Sequence, residues 1–395
     1  MTVPETLALE APTYVSFETA LRVEPDGQPV LTDELHAAQV DYYVFHAIAG
    51  AYYEISTEND IYSPDNVLTL FDAERKEVAS NDSGSRYPDD VFDARLVVRI
   101  PVTGDYYVRI EDHKTPPEFF RSRFPLLFYH LNVRTIAPDT AGYVRVEDGR
   151  VPARFESDTR DGYRFVTLIG EFHGEVERIA LDGARDQALI ARFHPGGVAG
   201  DGSTVDHPRV RVSAPDGHVL AAIESSASRE YIRPPVSEGS HQIELTTQGP
   251  LGANAFYAID LVLLDDNPAE RNESENHALG GAEVLRFTRG NAGRALLLAR
   301  VPPGDVDYFE VPADGGRSVV VSCEGESTGS GVRGLSADLV DASGHLLASG
   351  AEGDDGILLR VSLESRLPHY LRLHSDHTEA PESIEAWVRC AVLIS

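Results

Sequence analysis

Apolar residues along this chain alternate with polar ones in short runs. The clearest is "YYVRIED", where Tyr106, Val108 and Ile110 take one face and Tyr107 and Arg109 the other. Runs of 5–8 residues rich in Val, Ile, Leu, Tyr and Phe recur through the sequence with a period of two, the signature of half-buried strands. Turn residues punctuate them: "PDG" at 25–27 and 215–217, "VTGD" at 102–105 and "ASG" at 342–344. No stretch carries a sustained helical period, so helix is expected to be minor, with a short turn near 276–285.

The runs also repeat. "VDYYVF" at 40–45 is followed by "AIAGAYYEIST", "VLTLFDAERKEVAS", "FDARLVVRIPVTGDYYVRIED" and "LLFYHLNVRTI". "VDYFEV" at 306–311 is followed by "RSVVVSC", "LSADLVDASGHLLASG", "ILLRVSLESRLPHYLRLHSD" and "EAWVRCAVLI". Spacing agrees as well as order: Asp41 to Asp72 is 31 residues and Asp307 to Asp341 is 34. A middle copy begins at "VERIAL" (176–181), with Glu177 in the place of the aspartate. Its turn "DGHVLAA" matches "SGHLLAS", which makes His218 and His345 equivalent turn residues. Each copy is preceded by one more apolar run: "PVLTDEL", "RFVTLIGEF" or "RALLLARV". Six to eight short strands per unit predict an all-β chain of three tandem antiparallel β-sandwich, jelly-roll-like domains. The boundaries read as 1–137, 138–266 and 267–395.

Composition narrows the function. Of 395 residues, 42% are hydrophobic, enough for each unit to bury a core. The formal net charge of −30 repels phosphate backbones and anionic lipid, which excludes nucleic acid as a partner and favours cations. No run of apolar residues is long enough to span a membrane as a helix. The N-terminal "MTVPETLALEAPTYVSF" lacks a basic region followed by an apolar run, so the chain reads as cytoplasmic or as a mature form. Lys76 and Lys114 are the only lysines among 34 basic residues, which fits a GC-rich coding genome or a salty, extracellular setting. Cys323 and Cys390 each fall on the apolar side of a strand. They form either a disulfide, worth ~3–4 kcal/mol in the chain-entropy picture, or two buried free thiols.

Catalytic signatures are missing. The sequence has no HExxH, GxSxG, Walker loop or strand-following GxGxxG, and a non-enzyme is expected. Tyr42, Tyr52, Tyr62, Tyr87 and Tyr106 crowd the first unit, either as sandwich core or as an outward platform for a sugar or a peptide strand.

The series "VDYYVF", "LTLFDAERKEVASND", "FDARL" and "VTGDYYVRI" resembles the bacterial pre-peptidase C-terminal domain over 35–136, and the third unit does so over 265–395. The likeness is weak over 138–264. "DDNPAERNESENHAL" (265–279) resembles the acidic lead-in that precedes such domains. The resemblance implies a non-catalytic, jelly-roll-like sandwich carried on secreted or surface proteins, often beside a peptidase. It also implies calcium, which related collagen-binding domains hold through the lead-in and the Asp-Tyr strand. Mapped here, the calcium set is Glu273, Glu275 and Asn276 with Asp305 and Asp307, and more loosely Asp41 with the earlier acids Asp26, Asp33 and Glu34. The loop acids Asp82, Asp89, Asp90 and Asp93 offer a second candidate. The same residues also fit a solvated acidic linker with Asp307 capping a turn. Arg178 beside Glu177 argues against an ion in the middle unit. The expected role is to bind an extracellular polymer or partner protein, or further copies of the chain. A subunit of a filament or surface layer, or an accessory region of a secreted peptidase, are the alternatives.

Overall fold

The computed structural model describes residues 14–31, 40–58, 66–81, 93–112, 129–137, 142–146, 158–160, 163–183, 187–194, 209–217, 219–223, 230–236, 239–247, 255–264, 275–287, 293–312, 318–324, 332–351, 353, 356–363, 368–376 and 387–394. They are almost entirely strand, arranged as six sheets in three sandwiches. By contact the chain divides into two compact units. One is residues 1–84 with 92–135, and the other is 85–91 with 136–395. The first holds one pair of sheets and the second holds two.

The first sandwich contains β1 (Leu21–Arg22), β2 (Val30–Leu31), β3 (Val40–Ala47), β4 (Tyr52–Glu58), β5 (Asn66–Phe71), β6 (Glu77–Asn81), β7 (Arg95–Arg99), β8 (Gly104–Asp112) and β9 (His130–Ile136). Its sheets run β1-β3-β8-β5-β6 and β2-β9-β4-β7. The alternation in the sequence decides which side faces in. Tyr43 and Phe45 of β3, Tyr53 and Ile55 of β4, Leu68 and Leu70 of β5, and Tyr106, Val108 and Ile110 of β8 share one buried apolar cluster.

The third sandwich contains β20 (Glu283–Val284), β21 (Gly293–Arg300), β22 (Val306–Val311), β23 (Ser318–Cys323), β24 (Leu335–Asp341), β25 (Leu346–Ala351), β26 (Ile357–Ser362), β27 (His369–Ser375) and β28 (Trp387–Ile394). Its sheets, β20-β22-β27-β24-β25 and β21-β28-β23-β26, repeat the first sandwich strand for strand. The turn after β5 or β24 shows why the repeat is legible. Asp72 Oδ1 accepts from the Lys76 amide at 2.9 Å, and Asp341 Oδ1 accepts from the His345 amide at 2.9 Å. The fourth residue of each turn is left-handed, Arg75 at φ 64° and Gly344 at φ 81°. His345 is therefore a turn residue, while His218 lies outside the described residues.

Cys323 and Cys390 are joined in a disulfide across β23 and β28, at directly facing positions. Both lie within the third apolar cluster, so the bond is sealed from solvent. In the first sandwich Thr57 stands at the position of Cys323. Its hydroxyl accepts from the amide of Ala94, just before β7, at 2.9 Å, so this position is tied to the neighbour on the other side of β4 rather than to β9, the counterpart of β28. β28 is buried on both faces.

The middle sandwich contains β10 (Tyr143–Arg145), β11 (Asp158–Arg160), β12 (Tyr163–Glu171), β13 (Val176–Gly183), β14 (Gln187–His194), β15 (Arg209–Ser213), β16 (Val219–Ile223), β17 (Glu230–Val236), β18 (Gly239–Thr246) and β19 (Phe256–Leu264). One sheet runs β13-β18-β15-β16, and the other runs β10-β12-β19-β14-β17 with β11 also on β12. The difference from its neighbours is at the edge. β1 and β20 pair in parallel with the motif strands β3 and β22, whereas β10 pairs in parallel with β12 of the opposite sheet. The described lead-in strand of the middle sandwich is thus paired in the sheet that does not contain Glu177.

Candidate metal centre

In the first and third sandwiches the lead-in bends through one 3-10 turn, Phe17–Thr19 or Leu279–Gly281, before its edge strand begins. Two backbone contacts fix the register. The Tyr42 amide donates to the Tyr14 carbonyl at 2.8 Å, and the Tyr308 amide donates to the Asn276 carbonyl at 2.9 Å. Seven residues on, Leu21 lies opposite Tyr43 and Glu283 opposite Phe309. Asn276 is therefore the counterpart of Tyr14, and His277 of Val15. The third lead-in is tightly curled: a Cβ on Gly281 would lie 1.8 Å from the Glu275 carbonyl oxygen. Glycine at 281 is what lets the chain close there and lay Asn276 and His277 beside β22.

Asp307 is on the inward face of β22 with Phe309 and Val311, as the alternation predicted, and is fully buried. Asp305 precedes it in the tight turn from Pro302, its Oδ1 accepting from the Val306 amide at 2.9 Å. His277 Nδ1 lies 3.0 Å from Asp305 Oδ1 and 3.6 Å from Asp307 Oδ1. Ligand atoms of the three residues lie within 4.8 Å of one another. Among the described residues this is the cluster with metal-ligating composition and spacing. Asn276 is fully buried beside it, while the ring of His277 is half exposed, so the centre opens to water on the lead-in side.

Of the residues expected from sequence, Asp305, Asp307 and Asn276 are brought together. Glu275 is exposed, outside the cluster of ligand atoms, and Glu273 lies outside the described residues. His277 was not expected. Its signal was available in the sequence, as a histidine next to Asn276 where the first unit has valine.

Asp41 has the same position and the same burial as Asp307 but different company. The Tyr129 hydroxyl donates to Asp41 Oδ2 at 2.7 Å. That commits the Tyr129 proton, so Tyr43, 2.8 Å away, donates to the Tyr129 oxygen. Tyr14 continues the chain, hydrogen-bonded to Tyr43 with ring centroids 5.4 Å apart. Burial pushes the Tyr43 and Tyr129 hydroxyls well above the usual phenol range, so both keep their protons. Asp26, expected in this lead-in, is instead 2.8 Å from the Thr135 amide and secures the end of β9. Asp33, Glu34, Asp82, Asp89 and Asp90 lie outside the described residues, and Asp93 is buried. Tyr106 is core, Tyr42 and Tyr52 are partly covered, and Tyr62 and Tyr87 are outside the description.

Among the described residues the middle unit shows neither arrangement. Glu177 Oε1 accepts from the His173 amide at 2.8 Å, and Arg178 Nε donates to Glu244 at 2.9 Å. The arginine expected to oppose a cation is thus turned across the sheet toward Glu244.

Among the described residues no helix is long and apolar enough to cross a membrane. No family model matches the chain, and no curated protein matches it. Solved structures similar to parts of it include the periplasmic inhibitor of g-type lysozyme PliG from Aeromonas hydrophila, at 14% identity and a TM-score of 0.24, over 29% of this chain and 96% of that one. The pre-peptidase C-terminal domain of collagenase from Bacillus anthracis is similar at 15% identity and a TM-score of 0.23, over 29% of this chain and 93% of that one. Tandem carbohydrate-binding modules of a family 98 glycoside hydrolase from Streptococcus pneumoniae are similar at 8% identity and a TM-score of 0.19, over 58% and 84%.

Proposed function

We infer that the protein is a non-catalytic, extracellular binding protein built of three sandwich modules with boundaries near 137 and 266. In this reading it engages a polymer or protein partner, and a divalent cation, with calcium as the first candidate, staples the lead-in of the third module to its motif strand. The observation that carries the cation is the meeting of fully buried Asp307 with Asp305 and the curled lead-in at 275–281. Two carboxylates at one point repel each other, and the half-exposed imidazole of His277 is a weak counterweight. A cation neutralises the pair and lets the lead-in pack. Hard oxygens from Asp305, Asp307 and Asn276, completed by water, suit calcium. Binding to the folded form alone adds stability by mass action, about 2.7 kcal/mol at a free ion concentration of 100 times Kd.

Trp387, the chain's one tryptophan, lies on β28 of the same sandwich and provides the readout. EDTA is expected to lower the melting transition seen by Trp387 fluorescence, calcium to restore it, and Asp307→Asn to remove the response. An unchanged transition, with no calcium retained on equilibrium dialysis, overturns the reading.

A further inference from the structure

We propose that the centre at the head of the third sandwich is a His–Asp–Asp site selective for a first-row divalent ion, zinc by preference, over calcium. This rests on the preceding reading that a cation is held there, and it names a different occupant, one that His277 ligates together with Asp305 and Asp307. Calcium is an oxygen-seeking ion and leaves an imidazole unused. Zinc takes nitrogen and carboxylate oxygen together in a four-coordinate shell, with water filling what the protein does not.

The spacing supports this. Two ligands about 2.1 Å from one ion lie about 3.0 Å apart at a right angle and about 3.4 Å apart at the tetrahedral angle. His277 Nδ1 is 3.0 Å from Asp305 Oδ1 and 3.6 Å from Asp307 Oδ1, so the imidazole stands at ligand-to-ligand spacing from each carboxylate. The imidazole then presents its Nδ1 lone pair and carries its proton on Nε2, toward solvent. The remaining coordination position faces the open side, where His277 is 49% exposed.

The internal repeat provides an independent argument. The first sandwich keeps the buried aspartate but has Val15 for His277, Tyr14 for Asn276 and, counting back two residues from Asp41, Gln39 for Asp305. There the carboxylate is served by the Tyr129 hydroxyl. In the third sandwich the position of Tyr43 is Phe309, and the inward residues of β28 are Val388, Cys390, Val392 and Ile394, none with a hydroxyl. Nitrogen and oxygen ligands thus enter together where, among the described residues, these two tyrosine positions have become apolar.

The test is isothermal titration of the full chain with zinc and with calcium, repeated on His277→Ala and Asp307→Asn, with the Trp387 spectrum as a check of folding. Zinc binding at least ~10-fold tighter than calcium is expected at this site. His277→Ala is expected to weaken zinc at least ~10-fold and to change calcium less than ~3-fold. A zinc-to-calcium ratio that is the same in the wild type and in His277→Ala overturns the proposal, even if calcium binds. Calcium binding that survives Asp307→Asn overturns the calcium reading instead and leaves the zinc ratio standing as its own result. Cobalt as a substitute gives a second readout: intense visible absorption that His277→Ala removes supports nitrogen ligation, and its absence in the wild type counts against it.

Discussion

The first and third sandwiches have the same strands in the same order, and each buries an aspartate at the same point of its motif strand. They differ in how that aspartate is kept from being a liability. In the first, a relay of tyrosine hydroxyls ends on Asp41. In the third, Phe309 stands for Tyr43 and Asn276 for Tyr14, and Asp307 meets a second acid and an imidazole from the lead-in. A buried carboxylate costs several kcal/mol unless it is bonded or paired. One fold surrounds the same buried aspartate with neutral hydroxyls in one copy and with an acid and an imidazole in another. The middle sandwich differs in both respects: it has glutamate in the motif, and its lead-in strand β10 pairs in the opposite sheet.

The comparison can be broken in graded steps. The largest effect is expected from the link found in the third copy alone. Removing the disulfide with Cys323→Ala and Cys390→Ala reopens a loop with a sequence separation of 67 and should cost about 4 kcal/mol, read as a lower denaturant midpoint of Trp387 fluorescence. The equivalent Thr57→Ala in the first sandwich should cost about 1–2 kcal/mol, because only a hydrogen bond to the backbone is lost. If the two changes prove equal, the cross-link adds nothing beyond packing.

Next come the donors to the aspartate. Tyr129→Phe removes a hydroxyl from a fully buried carboxylate and should destabilise the first sandwich by about 2–3 kcal/mol, measured by hydrogen exchange along β3. Tyr43→Phe copies the third sandwich and removes only the second link of the relay, so about 1 kcal/mol is expected. Neither should respond to EDTA. A cation response appearing in Tyr129→Phe would show that the first sandwich retains a latent site.

Gly281→Ala separates the lead-in from the acids. Its Cβ would meet the Glu275 carbonyl, so the curl must open, and the cation-dependent stabilisation should fall by about 1–3 kcal/mol while Asp305 and Asp307 remain. A full cation response in this variant would mean that the motif strand suffices without the lead-in.

The smallest effect is in pH. On the outer face of each motif sheet an arginine occupies the same register, Arg109 beside Thr69 and Arg372 beside Asp338. Burial raises the Asp338 carboxyl, but hydrogen bonds from Ser349 and Arg372 and the charges of Arg372 and His374 outweigh it, and the carboxyl sits below the usual carboxylate range. A depressed folded value gives stability that is fully present above the unfolded value, about 3.9, and lost as pH falls through the folded one. The Trp387 transition should therefore weaken on acidification below about pH 4, and Asp338→Thr, which copies the first sandwich, should flatten that dependence.

Much of this was legible in the chain. Alternation in "YYVRIED" and "VDYFEV" set which residues face in, because a strand's side chains can take only two sides and water selects between them. The order of runs gave the repeat, and the matching turns "DGHVLAA" and "SGHLLAS" identified equivalent positions. The acid at 307 was visible as the polar exception on an apolar face. What the sequence left open were the events that join distant segments. Whether Cys323 meets Cys390 depends on β23 and β28 lying side by side in facing register. That Tyr129 reaches Asp41, 88 residues away, depends on two sheets closing over one core. His277 becomes a neighbour of Asp305 and Asp307 only because the lead-in curls at Gly281 and pairs with β22. Local propensity is written residue by residue and can be read that way. The meeting of side chains across sheets is settled by the packing of the whole sandwich, which no single stretch contains.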